Sequence, residues 1–222
     1  MTDLKLVIFD VDGTLVDSQG DILGAMSAAF AAEGLVAPDR PDVLRIVGLS
    51  LPQAMEQLVP DLGAVQRTRM VETYKAAYAA QVTCTASPLY DGIPELLDRL
   101  GDIDDLLLGV ATGKSRRGLS RLLKAHGLTG RFVTTQVADD HPSKPHPAML
   151  FSALDELGLD AAQAVMIGDT SYDMDMAEAA GIRGIGVTWG YHPADALGAA
   201  VRVVNDTQEL AGAIGDMLEV TI

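Results

Sequence analysis

Two aspartates two residues apart, Asp10 and Asp12, end an apolar run at 4–9 and lead into Gly13, Thr14, Asp17 and Ser18. Side chains at i and i+2 of extended backbone point the same way, so the two carboxylates face one another and repel. A cation, a shared proton or a nearby lysine would offset that repulsion; a solvated turn would avoid it. Three further groupings bear on the choice. Thr112-Gly113-Lys114-Ser115 follows a second apolar run and opens a helical pattern. A hydroxyl, a glycine and a helix start after a strand make an anion-binding corner, because free backbone N–H groups and the helix dipole face it. The Gly-x4-Gly-Lys spacing of a nucleotide-binding loop is absent, and Ser115 also fits a plain helix cap. Lys144 stands among Pro142, Pro145 and Pro147, which fix the backbone and hold an ammonium where it could neutralise carboxylates and a phosphate. Gly168-Asp169 ends another apolar run, with Asp173 four residues on at a helix start. Asp10, Asp12 and Asp169 together offer hard oxygen ligands of the kind that suits Mg2+, which takes a few carboxylates plus water and substrate phosphate.

The elements that must carry these residues alternate. Apolar runs at 4–9, 106–111, 131–135, 164–167, 184–188 and 201–204 read as strands, and helical patterns lie at 116–126, 147–157, 173–180 and 208–218. Asp206 and Glu209 resemble a capping box for the last of these. Strand alternating with helix predicts a doubly wound parallel α/β sheet, Rossmann-like, with ligands at the carboxyl ends of its strands. The alternation fails between about 18 and 88. Ile22, Met26, Ala29 and Phe30 form one helical stripe ending at Gly34; Leu44 and Val47 belong to a short helix stopping at Gly48; Val71, Tyr74 and Tyr78 share one side of a long one. The expected division is an α/β core over 1–16 and 89–222, with a smaller helical domain over 17–88 inserted through two linkers.

Bulk properties narrow the partners. The chain has 222 residues, 48% of them apolar, with 31 acidic against 16 basic residues and a formal charge of −15. Nucleic acid and anionic membrane both favour a basic surface, so neither is expected. The single cysteine, Cys84, permits no disulfide within the chain and no cysteine-based zinc site; it reads as structural. The N-terminal residues lack a signal-peptide pattern and no window suits a membrane span, which predicts a cytoplasmic protein, monomer or homodimer.

With its motifs in order, the chain resembles the haloacid dehalogenase superfamily, and within it the phosphoglycolate-phosphatase-like branch with a helical cap. The resemblance covers essentially the whole chain and rests on Asp10-x-Asp12-Gly13-Thr14, Thr112, Lys144, and Gly168-Asp169-Thr170-x-x-Asp173-Met174 followed by Ala177-x-x-Ala180-Gly181. It implies a Mg2+-dependent phosphatase acting on a small phosphorylated metabolite. Asp10 is then the nucleophile, Asp12 the acid and base, Thr112 and the Gly113 N–H the phosphoryl ligands, and Lys144 the charge-offsetting group. Asp10, the backbone carbonyl of Asp12, and Asp169 hold the metal, and Asp173 acts behind them. Asp12 disfavours dehalogenation, since a halide needs no proton. Ile22 stands where a phosphosugar mutase of this kind carries a histidine. Pyrophosphatase, 5′-nucleotidase and a non-catalytic phosphate sensor remain alternatives. The loop Val47-Gly48-Leu49-Ser50-Leu51 resembles the substrate-facing loop of the cap, with Gly48 and Ser50 as candidate contacts. Arg45 before it is either a solvated surface residue or the partner of a substrate carboxylate.

Overall fold

The computed structural model describes residues 4–81 and 86–222; Cys84 lies outside them. Its six-stranded sheet contains β1 (Lys5–Phe9), β2 (Leu106–Thr112), β3 (Thr134–Val137), β4 (Ala164–Gly168), β5 (Arg183–Val187) and β6 (Arg202–Val204) in the order β3-β2-β1-β4-β5-β6. Every paired neighbour is parallel. The chain leaves β1 for one side of the sheet and later returns to the other, so β1 borders the switch point where such folds bind ligands.

Alternation along β1 decides which face packs where. Val7 and Phe9 face a core completed by Leu96, Leu97 and Leu100 of α5 (Ile93–Gly101), Leu119 of α6 (Arg116–Ala125), and Leu210 and Ile214 of α9 (Thr207–Leu218). Leu6 and Ile8 face the other core, with Met149, Leu150 and Ala153 of α7 (Ala148–Leu157) and Met176 and Ala177 of α8 (Ser171–Ala179). Both faces of β1 are apolar because both are covered, as parallel strands require.

A third apolar cluster lies apart from the sheet. It joins Ile22, Met26 and Phe30 of α1 (Gln19–Ala32), Val43 and Leu44 of α2 (Arg40–Leu44), Met55 of α3 (Leu51–Leu58), and Met70 and Val71 of α4 (Ala64–Gln81). These helices lie over the carboxyl ends of the strands, since residues of both regions line one cavity.

Several local expectations shift. The strand expected at 131–135 forms at Thr134–Val137, an edge position beside β2 alone; Val133 before it is half-exposed, with its N–H on the Leu108 carbonyl at 2.8 Å. Helices α3 and α5 were not anticipated; Pro52 and Pro94 sit near their starts, where proline's fixed φ is tolerated. Ser115 caps α6 by accepting from the Gly118 N–H. Asp206 caps α9, but Glu209 reaches the Asn205 backbone rather than the capping residue.

Candidate active site

The catalytic candidates converge because of where their strands end. The Asp10 N–H donates to the Ile167 carbonyl at 2.9 Å, which ties the end of β1 to the end of β4. Gly13, at φ 89°, turns the chain sharply, and a Cβ there would lie 2.1 Å from Asp169 Oδ2. No side chain fits between the first motif and Asp169. Thr14 Oγ1 then donates to Asp169 Oδ1 at 2.8 Å, and the Tyr191 N–H donates to Asp169 Oδ2 at 2.8 Å.

Asp10, Asp169 and Asp173 are all buried, with one carboxylate oxygen of each within 4.8 Å of the others. Asp173 is fully committed. Its Oδ2 accepts from Thr170 N–H and Oγ1, closing a capping box with Thr170 as the N-cap, and its Oδ1 accepts from Lys144 at 2.6 Å. The helix expected to open at 173 thus opens at Ser171, with Asp173 at its third position. Lys144 is buried as well, its Nζ 2.8 Å from Asp10 Oδ1. Burial opposes its charge, but Asp10 and Asp173 together hold its ammonium above the ordinary lysine range.

Asp10 differs from its neighbours. Lys144 lies beside it as an ion pair, yet neither of its oxygens accepts a well-aligned hydrogen bond. Burial pushes its carboxyl up to about 7, with Lys144 pulling the other way. Burial, and then the charges of Asp173 and Asp10, push Asp169 well above the usual carboxylate range. Buried, crowded carboxylates with unused lone pairs are a donor set that fits a hard divalent cation. Asp10 and Asp169 are the carboxylates with capacity to spare, whereas Asp173 is held by protein partners.

Asp12 is not in that cluster through its carboxylate. Ser18 Oγ donates to its Oδ1, and Lys114 Nζ bridges Oδ1 and Oδ2 at 2.6 and 2.7 Å. Lys114 also donates to Tyr78 Oη at 3.0 Å. Tyr191 Oη lies 3.0 Å from Ser18 Oγ. Lys114, Tyr78 and Tyr191 were not among the expected site residues. Lys114 adjoins the Thr112-Gly113 corner and was visible in the sequence; Tyr78 read as a packing residue, and Tyr191, just after β5, fits either the flank of the site or packing at the sheet edge.

A cavity of about 610 Å³ opens from this point, lined by Asp10, Asp12, Thr112, Gly113 and Lys114 on the sheet side and by Gly48, Ser50 and Tyr78 among the helices. Helices and sheet approach closely here. A Cβ on Gly113 would lie 2.7 Å from the carbonyl oxygens of Gly48 and Leu49, so only glycine lets the loop sit against the strand end. The Ser50 N–H donates to Ser143 Oγ at 2.7 Å, beside Lys144. Arg45 is not brought to the cavity. Its side chain is 69% exposed and pairs with Asp42, while its carbonyl accepts from Tyr172 Oη and bonds His192 Nε2.

Residues 7–187 match the family model described as haloacid dehalogenase-like hydrolase. The chain is 39% identical over 222 residues to a probable phosphatase, IndB, of Dickeya dadantii, covering 97% of this chain and 96% of that one. It is 32% identical to a phosphoglycolate phosphatase of Mannheimia succiniciproducens, over 86% of this chain and 88% of that one. Among solved structures, a predicted phosphatase from Clostridium acetobutylicum superposes with a TM-score of 0.86 at 27% identity, covering 96% of this chain and 99% of that one.

Proposed function

The chain belongs to the haloacid dehalogenase-like hydrolases and is a phosphatase, and on that premise we propose that it hydrolyses a small phosphoglycolate-like monoester through an aspartyl phosphate on Asp10, with Mg2+ as cofactor. One observation carries the reading: the Asp10 carboxylate is buried at the cavity wall with no hydrogen bond to satisfy its oxygens. A carboxylate poised in this way is free to attack.

An Asp10 oxygen forms a bond to phosphorus as the ester P–O bond breaks. Asp12 gives its proton to the departing oxygen, then takes one from the water that attacks the phosphoenzyme. That second attack releases inorganic phosphate and restores Asp10. Thr112 and the Gly113 N–H hold phosphoryl oxygens at the mouth of α6. Lys144, fixed by Asp173, offsets negative charge on Asp10 and on the transferring group, the electrostatic work on which phosphoryl transfer chiefly depends. Asp10, the Asp12 carbonyl and Asp169 would hold Mg2+, whose charge, when bound, neutralises phosphoryl oxygens. Gly48 and Ser50 line the same cavity from the helical side and face the leaving group.

The test is phosphate release with Mg2+ from 2-phosphoglycolate, sugar phosphates, nucleoside monophosphates and pyrophosphate. Asp10→Asn is expected to fold and to lose activity by roughly 10³-fold or more, as nucleophile replacements do. Steady-state turnover retained in that variant would refute the mechanism. A different best substrate would correct the substrate class alone.

A further inference from the structure

In the structure the proposed acid is not free to act. Both oxygens of Asp12 are engaged by the Lys114 ammonium, and Ser18 adds a hydrogen bond to one of them. A leaving oxygen reaches Asp12 only where one of those two oxygens is given up. Lys114 must therefore loosen its bridge for Asp12 to meet the substrate.

Leaving is costly for Lys114 unless another anion takes over. Its side chain is 9% exposed, and Asp12 is the carboxylate it pairs with among the described residues. Tyr78 offers one hydroxyl at 3.0 Å and a ring face at 4.8 Å, too little to replace a full countercharge. The other acidic groups lining the cavity are already engaged. Glu72 pairs with Lys75, and Asp139 accepts from the Arg116 N–H. The transferring phosphoryl group has its own ammonium in Lys144. The remaining source of negative charge is the rest of the substrate.

We propose that Lys114 is a specificity-determining residue that exchanges Asp12 for a second anionic group on the substrate, a carboxylate or further phosphate beyond the ester being cleaved. The inference rests on the acid role assigned to Asp12 above. Substrates with such a group draw Lys114 away and release the acid. Monoesters with a neutral leaving group bind while the acid stays engaged.

The experiment compares kcat/KM for 2-phosphoglycolate with that for 2-hydroxyethyl phosphate, in which a neutral alcohol replaces the carboxylate. The wild-type protein is expected to favour phosphoglycolate by roughly 10- to 100-fold, the scale of one charge-assisted contact. In Lys114→Met and Lys114→Gln the preference falls to about one, phosphoglycolate losing and hydroxyethyl phosphate gaining. Lys114→Arg keeps most of the preference, and thermal melts verify that each variant folds. Equal losses on both substrates would assign Lys114 to the transferring phosphoryl group and overturn the proposal. A wild-type protein that turns over both alike would overturn it while leaving the phosphatase mechanism standing. Turnover of neither would overturn it together with the substrate class proposed above.

Discussion

Two buried lysines serve two aspartates a few residues apart, and they are held in opposite ways. Lys144 lies between Asp10 and Asp173, with no exposure, and Asp173 is itself tied to the first turn of α8. Every partner comes from the sheet side. Lys114 grips Asp12 at the cavity wall, and its further contact, Tyr78, comes from helix α4 on the other side. The first arrangement fixes charge. The second depends on how two regions meet, and its cation can be traded. A single site thus contains one ion cluster built for permanence and one built for exchange.

The largest expected difference tests the permanent side. Lys144→Met strands Asp10 and Asp173 without their shared cation, and breaking such a buried pair costs about 3–5 kcal/mol. Urea unfolding would measure it. A loss under about 1 kcal/mol would mean the cluster behaves like a surface pair, and the contrast would collapse.

Acidity gives the next effect, and its sign is unusual. Asp10 is raised from 3.8 to about 7 in the folded chain, so between those values the native state holds a proton that the unfolded chain has released. Stability therefore falls as pH rises through that window, by about 4 kcal/mol at most from this group. Wild-type protein without metal is expected to lose more stability between pH 4 and pH 8 than Asp10→Asn. Millimolar Mg2+ at pH 8 is expected to recover part of the loss, because it binds the folded site. A wild-type curve parallel to that of the variant would contradict this.

Lys114→Met is expected to cost less than Lys144→Met, roughly 1–3 kcal/mol, because Asp12 keeps Ser18 and faces a cavity that admits water. Equal losses would erase the distinction between the two clusters. The smallest effect belongs to the contact between helices and sheet. His192 bonds the Arg45 carbonyl through Nε2 and accepts the Ser171 N–H at Nδ1, which requires a neutral ring. Burial lowers its pKa from the ordinary 6.5, so the neutral ring and this contact persist at that pH and are lost only as pH falls through the lowered value. His192→Ala should cost about 1 kcal/mol and flatten the acid limb of KM; an unchanged KM profile would detach His192 from the cavity.

The parts of the molecule legible in the sequence are those where one residue type has few alternatives. Apolar runs that end in carboxylates announced β1 and β4, and the sheet follows from their alternation with helices. Asp10 and Asp169 could be grouped because each closes a strand, Asp173 because it opens the helix that follows, and Lys144 because it sits on a proline-fixed loop. Asp173 lies two residues inside a helix expected to begin at it, since a capping box reads equally well from either of its members. Helix α5 was overlooked between the turn at Gly92 and β2, although Leu96, Leu97 and Leu100 carry its apolar face. Lys114, Tyr78 and Tyr191 escaped because their roles arise between distant segments. Nothing near Tyr78 signals that its hydroxyl meets an ammonium 36 residues on. Arg45 shows the converse: a charge beside a plausible loop, at the end of α2, paired with exposed Asp42 one turn back.

The hydrogen bond from Thr14 to Asp169 joins residues 155 apart in sequence, and β1 is flanked by strands that begin at Leu106 and Ala164. During synthesis the first aspartates leave the ribosome early and wait for most of the chain to follow. The helices at 19–81 form their apolar cluster from one contiguous stretch and can collapse while the sheet is still incomplete. The carboxylate cluster therefore arrives late and all at once: a nascent or truncated chain that stops before residue 169 can own a finished helical cluster and still lack the two aspartates that Asp10 meets.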